Sequence, residues 1–90
     1  MYLAEYSQSA KSDLLSIERK FAQLIVKKIR YFCESEQPLK FASRLNGELN
    51  NIFRFRIGDY RVLFKEKSSG KIQILLIIKI GHRREVYRFK

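Results

Sequence analysis

The chain has a single cysteine, Cys33, so no disulfide can form within it and no multi-cysteine zinc site can be built. Its one histidine, His82, excludes a multi-histidine metal centre. Its one proline, Pro38, and four glycines are too few for a linker, a low-complexity segment or a glycine loop that cradles phosphate. No apolar run approaches the roughly 18 residues that suggest a membrane span. Residues 1–5 are not a basic stretch leading into an apolar one, so no signal peptide is expected, and with the lone thiol this points to a reducing, cytoplasmic compartment. Acidic residues are scarce: nine Asp and Glu face nineteen Lys and Arg, a formal charge of +10 that favours polyanions or acidic partners. Nothing calls for a metal or a cofactor.

What is present describes one small globular domain over residues 1–90, with 46% apolar and 31% charged residues. The charge is uneven. Residues 1–45 carry eight basic and five acidic side chains, residues 46–90 eleven and four. The second half is also rich in arginine: Arg54, Arg56, Arg61, Arg83, Arg84 and Arg88. A guanidinium offers a planar fork that matches phosphate bidentately, where an ammonium is a point charge.

Tyr2, Ala4 and Tyr6 alternate with Leu3 and Glu5, the period of a first strand. Ser7 or Ser9 is suited to cap a first amphipathic helix carrying Ala10, Leu14 and Ile17 on one face, with Lys11, Asp13 and Glu18 on others. A second helix is expected over residues 19–35, its core stripe Phe21, Ile25, Ile29 and Phe32 flanked by Leu24 and Cys33. Lys27, Lys28 and Arg30 read as a solvated face, and Cys33 as a buried structural thiol. Pro38 ends that helix, and residues 36–51 read as a loop with Asn46-Gly47 as a turn. Over residues 52–57, Ile52, Arg54 and Arg56 alternate with Phe53, Phe55 and Ile57, which puts the two arginines on one face of a strand. Gly58-Asp59 is a hairpin turn, residues 60–67 the next strand, and Ser68-Ser69-Gly70 the next turn. Residues 71–80 contain the contiguous run Ile74 to Ile78, a central strand buried on both faces, which Gly81 breaks. Strand, two helices, then three or four antiparallel strands make an α+β fold: two N-terminal helices packed on a mostly antiparallel sheet of four to five strands. The arginine side of the strands is expected on the sheet face the helices leave open.

The chemistry concentrates in the second half. Arg54 and Arg56 lie about 6.5–7 Å apart along a strand, near the spacing of successive phosphates in one nucleic-acid strand. Arg61 opens the partner strand. His82 is the only side chain that ordinarily titrates near neutral pH, which makes it a candidate base beside Arg83 and Arg84. Glu85 is a second candidate base, and Tyr87 suits stacking on a base or donating to a phosphate. No Gly-x-Ser-x-Gly elbow and no helically spaced carboxylate pair is present.

Three stretches carry a family resemblance: Arg44-Leu45-Asn46-Gly47, Phe53-Arg54-Phe55-Arg56-Ile57-Gly58-Asp59-Tyr60-Arg61-Val62-Leu63-Phe64, and Gly81-His82-Arg83-Arg84-Glu85-Val86-Tyr87. Together with Ala10-Lys11-Ser12-Asp13-Leu14 they resemble the RelE/ParE superfamily of type II toxin–antitoxin toxins, over essentially the whole chain. The resemblance implies a βααβββ fold like that of microbial ribonucleases. RelE-type members are ribosome-dependent endoribonucleases that cut mRNA and are neutralised by an antitoxin; ParE-type members inhibit DNA gyrase without RNA chemistry. By position Arg54 and Arg56 match the family's catalytic lysines, Arg61 and Arg83 its phosphate-contacting arginines, and Tyr87 its C-terminal catalytic tyrosine. Arginine effectively cannot serve as a base, so that role falls to His82, Glu85 or Tyr87, with Arg54, Arg56, Arg61, Arg83 and Arg84 holding phosphate. The expected reaction is attack of a ribose 2′-OH on the adjacent phosphate. The alternatives are a ParE-type gyrase inhibitor without nuclease activity or a catalytically inactive RNA-binding relative; the expected partners are an acidic, RelB-like antitoxin, the ribosome and mRNA, or DNA gyrase in the first alternative, and no membrane.

Overall fold

Ser7 joins the first strand to the first helix. Its Oγ accepts the Ala10 N–H at 3.0 Å, which caps the helix, and its hydroxyl donates to the Ile78 carbonyl at 3.1 Å, which ties that cap to a central strand. In the computed structural model, which describes residues 2–45 and 51–86, the elements run β1 (Tyr2–Tyr6), α1 (Gln8–Ser16), α2 (Arg19–Glu34), a 3-10 turn (Pro38–Phe41), β2 (Ala42–Arg44), β3 (Phe53–Ile57), β4 (Tyr60–Ser69) and β5 (Ile72–His82). The strands form one sheet in the order β1-β5-β4-β3-β2. β1 pairs with β5 in parallel and every other neighbour is antiparallel, so the sheet is mixed and mostly antiparallel, as the pattern implied.

Both helices lie on one face. Ile25, Ile29, Phe32 and Cys33 of α2 and Ala10 of α1 are buried with Phe55, Ile57, Val62, Phe64, Leu75, Ile77 and Ile80 from the sheet. The ring of Phe55 stands 4.4 Å from Phe32 and 4.3 Å from Phe64, centroid to centroid. A smaller apolar cluster, Ile52, Leu63 and Val86 with Leu45 and Ile78, covers part of the opposite face.

The segment over residues 36–51 is not wholly loop. The 3-10 turn leads into β2, which pairs with β3 through Ser43 opposite Arg54. Pro38 begins that turn, while α2 already ends at Glu34, where both the amide and the hydroxyl of Ser35 donate to the Phe32 carbonyl. The Asn46-Gly47 turn lies outside the described residues. The β4–β5 hairpin turns on Gly70-Lys71 rather than on residues 68–70, since Ser69 still pairs with Ile72. Gly70 takes φ +62° and Gly58 φ +60°, each at the first position of a two-residue turn, the conformation glycine adopts without strain. Gly81 does not break β5: it pairs with Arg61, and the strand continues to His82.

Candidate nucleic-acid interface and its neighbouring cavity

Residues directly opposite in an antiparallel pair share a face, and faces alternate along each strand. Arg56 is opposite Arg61, and Arg54 opposite Leu63. Phe53, Phe55 and Ile57 point to the helices, so Arg54, Arg56 and Arg61 share the other face. Arg56 is exposed and Arg54 half-buried. Arg61 is only 6% exposed, and its Nη1 donates to the carbonyls of Gly58 at 2.8 Å and Tyr60 at 2.9 Å. It therefore clamps the hairpin turn as well as contributing positive charge.

Arg83 is held beside that turn. Its backbone N–H donates to the Asp59 carbonyl at 2.8 Å, and its Nε lies 3.9 Å from Asp59 Oδ1. The chain then folds back. Val86 packs under Gly81, 3.5 Å from where a Cβ would stand, and joins Ile52 and Leu63 on the arginine face. Arg84 is exposed, and Tyr87 lies outside the described residues.

His82 goes the other way. It pairs with Tyr60, whose ring meets it edge-on at 5.9 Å and also contacts Phe21 of α2 at 5.6 Å. The histidine is thus on the helix side, not beside Arg56 and Arg61. Its Nδ1 accepts the Arg84 N–H at 3.2 Å, so in the neutral ring the proton sits on Nε2. Glu85, whose N–H donates to the His82 carbonyl at 2.9 Å, lines the same helix-side cavity. That cavity, about 600 Å³, is bounded by Asp13, Glu18, Tyr60, Lys79, His82 and Glu85 among others. Two sequence candidates for the base are therefore together, but on the far side of the sheet from the paired arginines.

Asp13 lies off the apolar stripe of α1, yet it is more than a solvated helix residue. Its Oδ2 accepts the Ile80 N–H at 2.9 Å, and its Oδ1 lies 3.2 Å from Lys79 Nζ. This contact sits just past an irregularity in the β4–β5 register at Leu63/Phe64. The signal for it in the chain is a lysine interrupting the apolar run of residues 74–80, together with an aspartate flanking the apolar stripe of Ala10 and Leu14.

A second surface lies between α1 and α2. A groove of about 720 Å³ is lined by Leu14, Leu15, Ile17, Ala22 and Val26, with Arg19, Lys27 and Arg30 along it. Leu15 is 89% exposed. Cys33 is buried, and burial raises its thiol pKa, with Glu34 adding to the effect. Among the described residues no three His, Cys, Asp or Glu side chains gather to hold a metal, and no helix is long and apolar enough to cross a membrane.

The family model for the ParE toxin of the type II toxin–antitoxin system, parDE, matches residues 4–87. The chain belongs to this toxin family. The toxin is 25% identical to Toxin RelG of Mycobacterium tuberculosis over 87 residues, 97% of each chain. Its fold matches that in the RelBE2 toxin–antitoxin complex of the same organism, with a TM-score of 0.75 and 24% identity over 91% of this chain and 98% of that one. It also matches the archaeal RelE–RelB complex of Pyrococcus horikoshii, with a TM-score of 0.65 and 21% identity over 94% and 98%. The toxin is thus a type II toxin of the RelE/ParE superfamily, with two helices on a five-stranded mixed sheet.

Proposed function

We propose that this toxin is a ribosome-dependent endoribonuclease that cuts mRNA. The observation that carries the reading is the cross-strand pair Arg56–Arg61 with Arg54 beside it on the same face. Like charges directly opposite on a sheet are destabilising, and a bound phosphodiester would turn that repulsion into attraction. Arg54, Arg56 and Arg83, with Arg84 at the rim, hold the backbone and stabilise charge on the phosphorane as the 2′-OH attacks. Arg61 fixes the turn that carries them and adds its charge. The acid–base steps need a group that arginine cannot replace. His82 and Glu85 open onto the helix side, so Tyr87, the next residue after Val86, is the preferred acid. The base is then Glu85 reaching round the sheet end, or a group supplied by the ribosome.

The partner that silences the toxin is an acidic, amphipathic antitoxin segment. The α1–α2 groove supports this through its apolar floor and its three cations. The solved relatives that share the fold include complexes with RelB-type antitoxins.

A second reading is inhibition of DNA gyrase without chemistry. It draws support from the ParE description of the matching family and from the separation of His82 and Glu85 from the arginines. Pulse incorporation of labelled amino acids and thymidine in the first minutes after induction separates the two. Early loss of amino-acid incorporation, with mRNA cut inside reading frames, is the expected result. Early loss of thymidine incorporation with translation intact would overturn the nuclease reading in favour of gyrase.

A further inference from the structure

An aromatic surface lies on the flank of α2 turned away from the α1–α2 groove. Tyr31 is 58% exposed, and Phe41, the last residue of the 3-10 turn, is 44% exposed. Their rings stand 6.1 Å apart, centroid to centroid. Both are backed by the core. Phe41 stacks on buried Phe32 at 4.9 Å, Tyr31 meets Phe32 edge-on at 5.9 Å, and Phe32 packs against Phe55. The outer rings are thus held in place before anything binds, which lowers the entropy lost on binding. Cations surround them. Lys28 Nζ lies 5.6 Å from the Tyr31 ring and 5.9 Å from that of Phe32. Lys40 precedes Phe41 in the 3-10 turn, and the Arg44 guanidinium covers the Phe53 ring at 5.3 Å. All three cations are exposed, and among the described residues none of them forms an ion pair. Glu36 is the one carboxylate lining the shallow cavity beside Lys40 and Phe41.

The chemistry of this surface differs from that of the groove. The groove is floored by aliphatic side chains, which suit the apolar stripe of a helix. Flat rings interleaved with cations suit bases and the phosphates that join them, because every base has a π-face and every link a negative charge. The position agrees. Ser43 of β2 is opposite Arg54 and shares its face, whereas Ala42 and Arg44, opposite Phe55 and Phe53, face the helices. β2 is the edge of the sheet, so this three-residue strand is the boundary between the arginine face and the aromatic surface.

We propose that Tyr31 and Phe41, with Lys28, Lys40 and Arg44, form a stacking platform for unpaired RNA bases, taking nucleotides of a strand that crosses the β2 edge from the arginine face. The inference deepens the RNA reading above and rests on it for the strand held on that face. The platform takes no part in cleavage and does not discriminate between bases, since stacking is open to all of them.

The test is a titration of the full chain with a single-stranded oligouridylate, followed by NMR of the ring protons, with a glutamate peptide of equal charge as the comparison. Saturable upfield shifts at Tyr31 and Phe41 are expected with the RNA and not with the peptide. Tyr31→Leu or Phe41→Leu, which keeps apolar cover over Phe32 but removes the flat face, should weaken binding about fivefold or more. Tyr31→Phe, which keeps the ring, should bind like the parent. Lys28→Gln and Arg44→Gln should each lower the slope of log affinity against log salt by about 0.7, the value for one phosphate of a single strand. Rings that do not move, or Tyr31→Leu binding as tightly as Tyr31→Phe, would overturn the platform. The same shifts with the glutamate peptide would also overturn it and make the surface a docking face for an acidic protein. Ring shifts in a chain that leaves mRNA uncut on induction would keep the platform and remove the nuclease reading. Cleavage of mRNA with unmoved rings would do the reverse.

Discussion

Replacing Asp13 by alanine removes two contacts that hold α1 to β5, and the size of the effect can be worked from the structure. The Ile80 amide at 2.9 Å loses a charged acceptor, and Ile80 is 2% exposed, so water can reach that amide only if the strand moves. A hydrogen bond to a charged group contributes about 1.5–3 kcal/mol. The Lys79 pair, with side chains 17% and 27% exposed, is partly screened, and it adds no more than about 1 kcal/mol. The sum is about 3 kcal/mol, a large part of the roughly 5–15 kcal/mol that stabilises a domain. For a chain of this size, at about 4–8 °C per kcal/mol, that corresponds to a melting temperature lower by about 12–24 °C. Asp13→Asn keeps an oxygen for the Ile80 N–H but loses the charge and turns an amide donor towards Lys79, so a smaller loss than in the alanine variant, about 1–2 kcal/mol, is expected. Urea unfolding followed by circular dichroism measures both, with an unchanged slope as the check that the unfolded state is the same. A loss below about 0.5 kcal/mol in Asp13→Ala, the level of ordinary surface substitutions, would refute the reasoning.

Arg83→Ala is expected to abolish growth arrest on induction while leaving the unfolding midpoint nearly unchanged, because that side chain is half-exposed. Arg61→Ala should abolish arrest and also lower the stability by about 1–2 kcal/mol, since the Gly58 and Tyr60 carbonyls lose their donor. Full toxicity of the double variant would end the phosphate assignment. Phe55→Ala, which removes a fully buried ring stacked on Phe64 and tilted against Phe32, should cost about 3–5 kcal/mol in urea. Burial pushes the Tyr6 hydroxyl from its usual 10.0 up to about 12. The folded state therefore favours the protonated phenol, and the stability it contributes is complete below pH 10 and lost as pH rises towards 12. Tyr6→Phe should flatten that part of the stability profile, and an unchanged alkaline slope would contradict this.

The faces of the strands can be read from the chain because a period of two is a local property. Phe53, Phe55 and Ile57 have to share a side, so Arg54 and Arg56 have to share the other. Most of the helix stripe is legible for the same reason at a period of 3.6: Ile25, Ile29, Phe32 and Cys33 are buried, whereas Phe21 and Leu24, expected with them, are left exposed at the rim of the helix–sheet interface. The short β2 is not legible, because its three residues become a strand only by pairing with β3. The role of Asp13 is not legible either, since its partners lie 66 and 67 residues away.

The Gly81-His82-Arg83 stretch marks the boundary. Local periodicity and composition are enough to establish the helices, the arginine strand and an unusual concentration of cations and a histidine near the C-terminus. Which side of the sheet each of these groups serves depends instead on how the strands pair in space. Pairing across the Gly58-Asp59 hairpin aligns Arg56 with Arg61, and the pairing of β4 with β5 aligns Gly81 with Arg61 and His82 with Tyr60. Consecutive side chains of a strand point to opposite faces, and a register shift of one residue would exchange them. That register is held by contacts distant in sequence, the Asp13 carboxylate on Ile80 and the Asp59 carbonyl on the Arg83 amide, which no local pattern encodes.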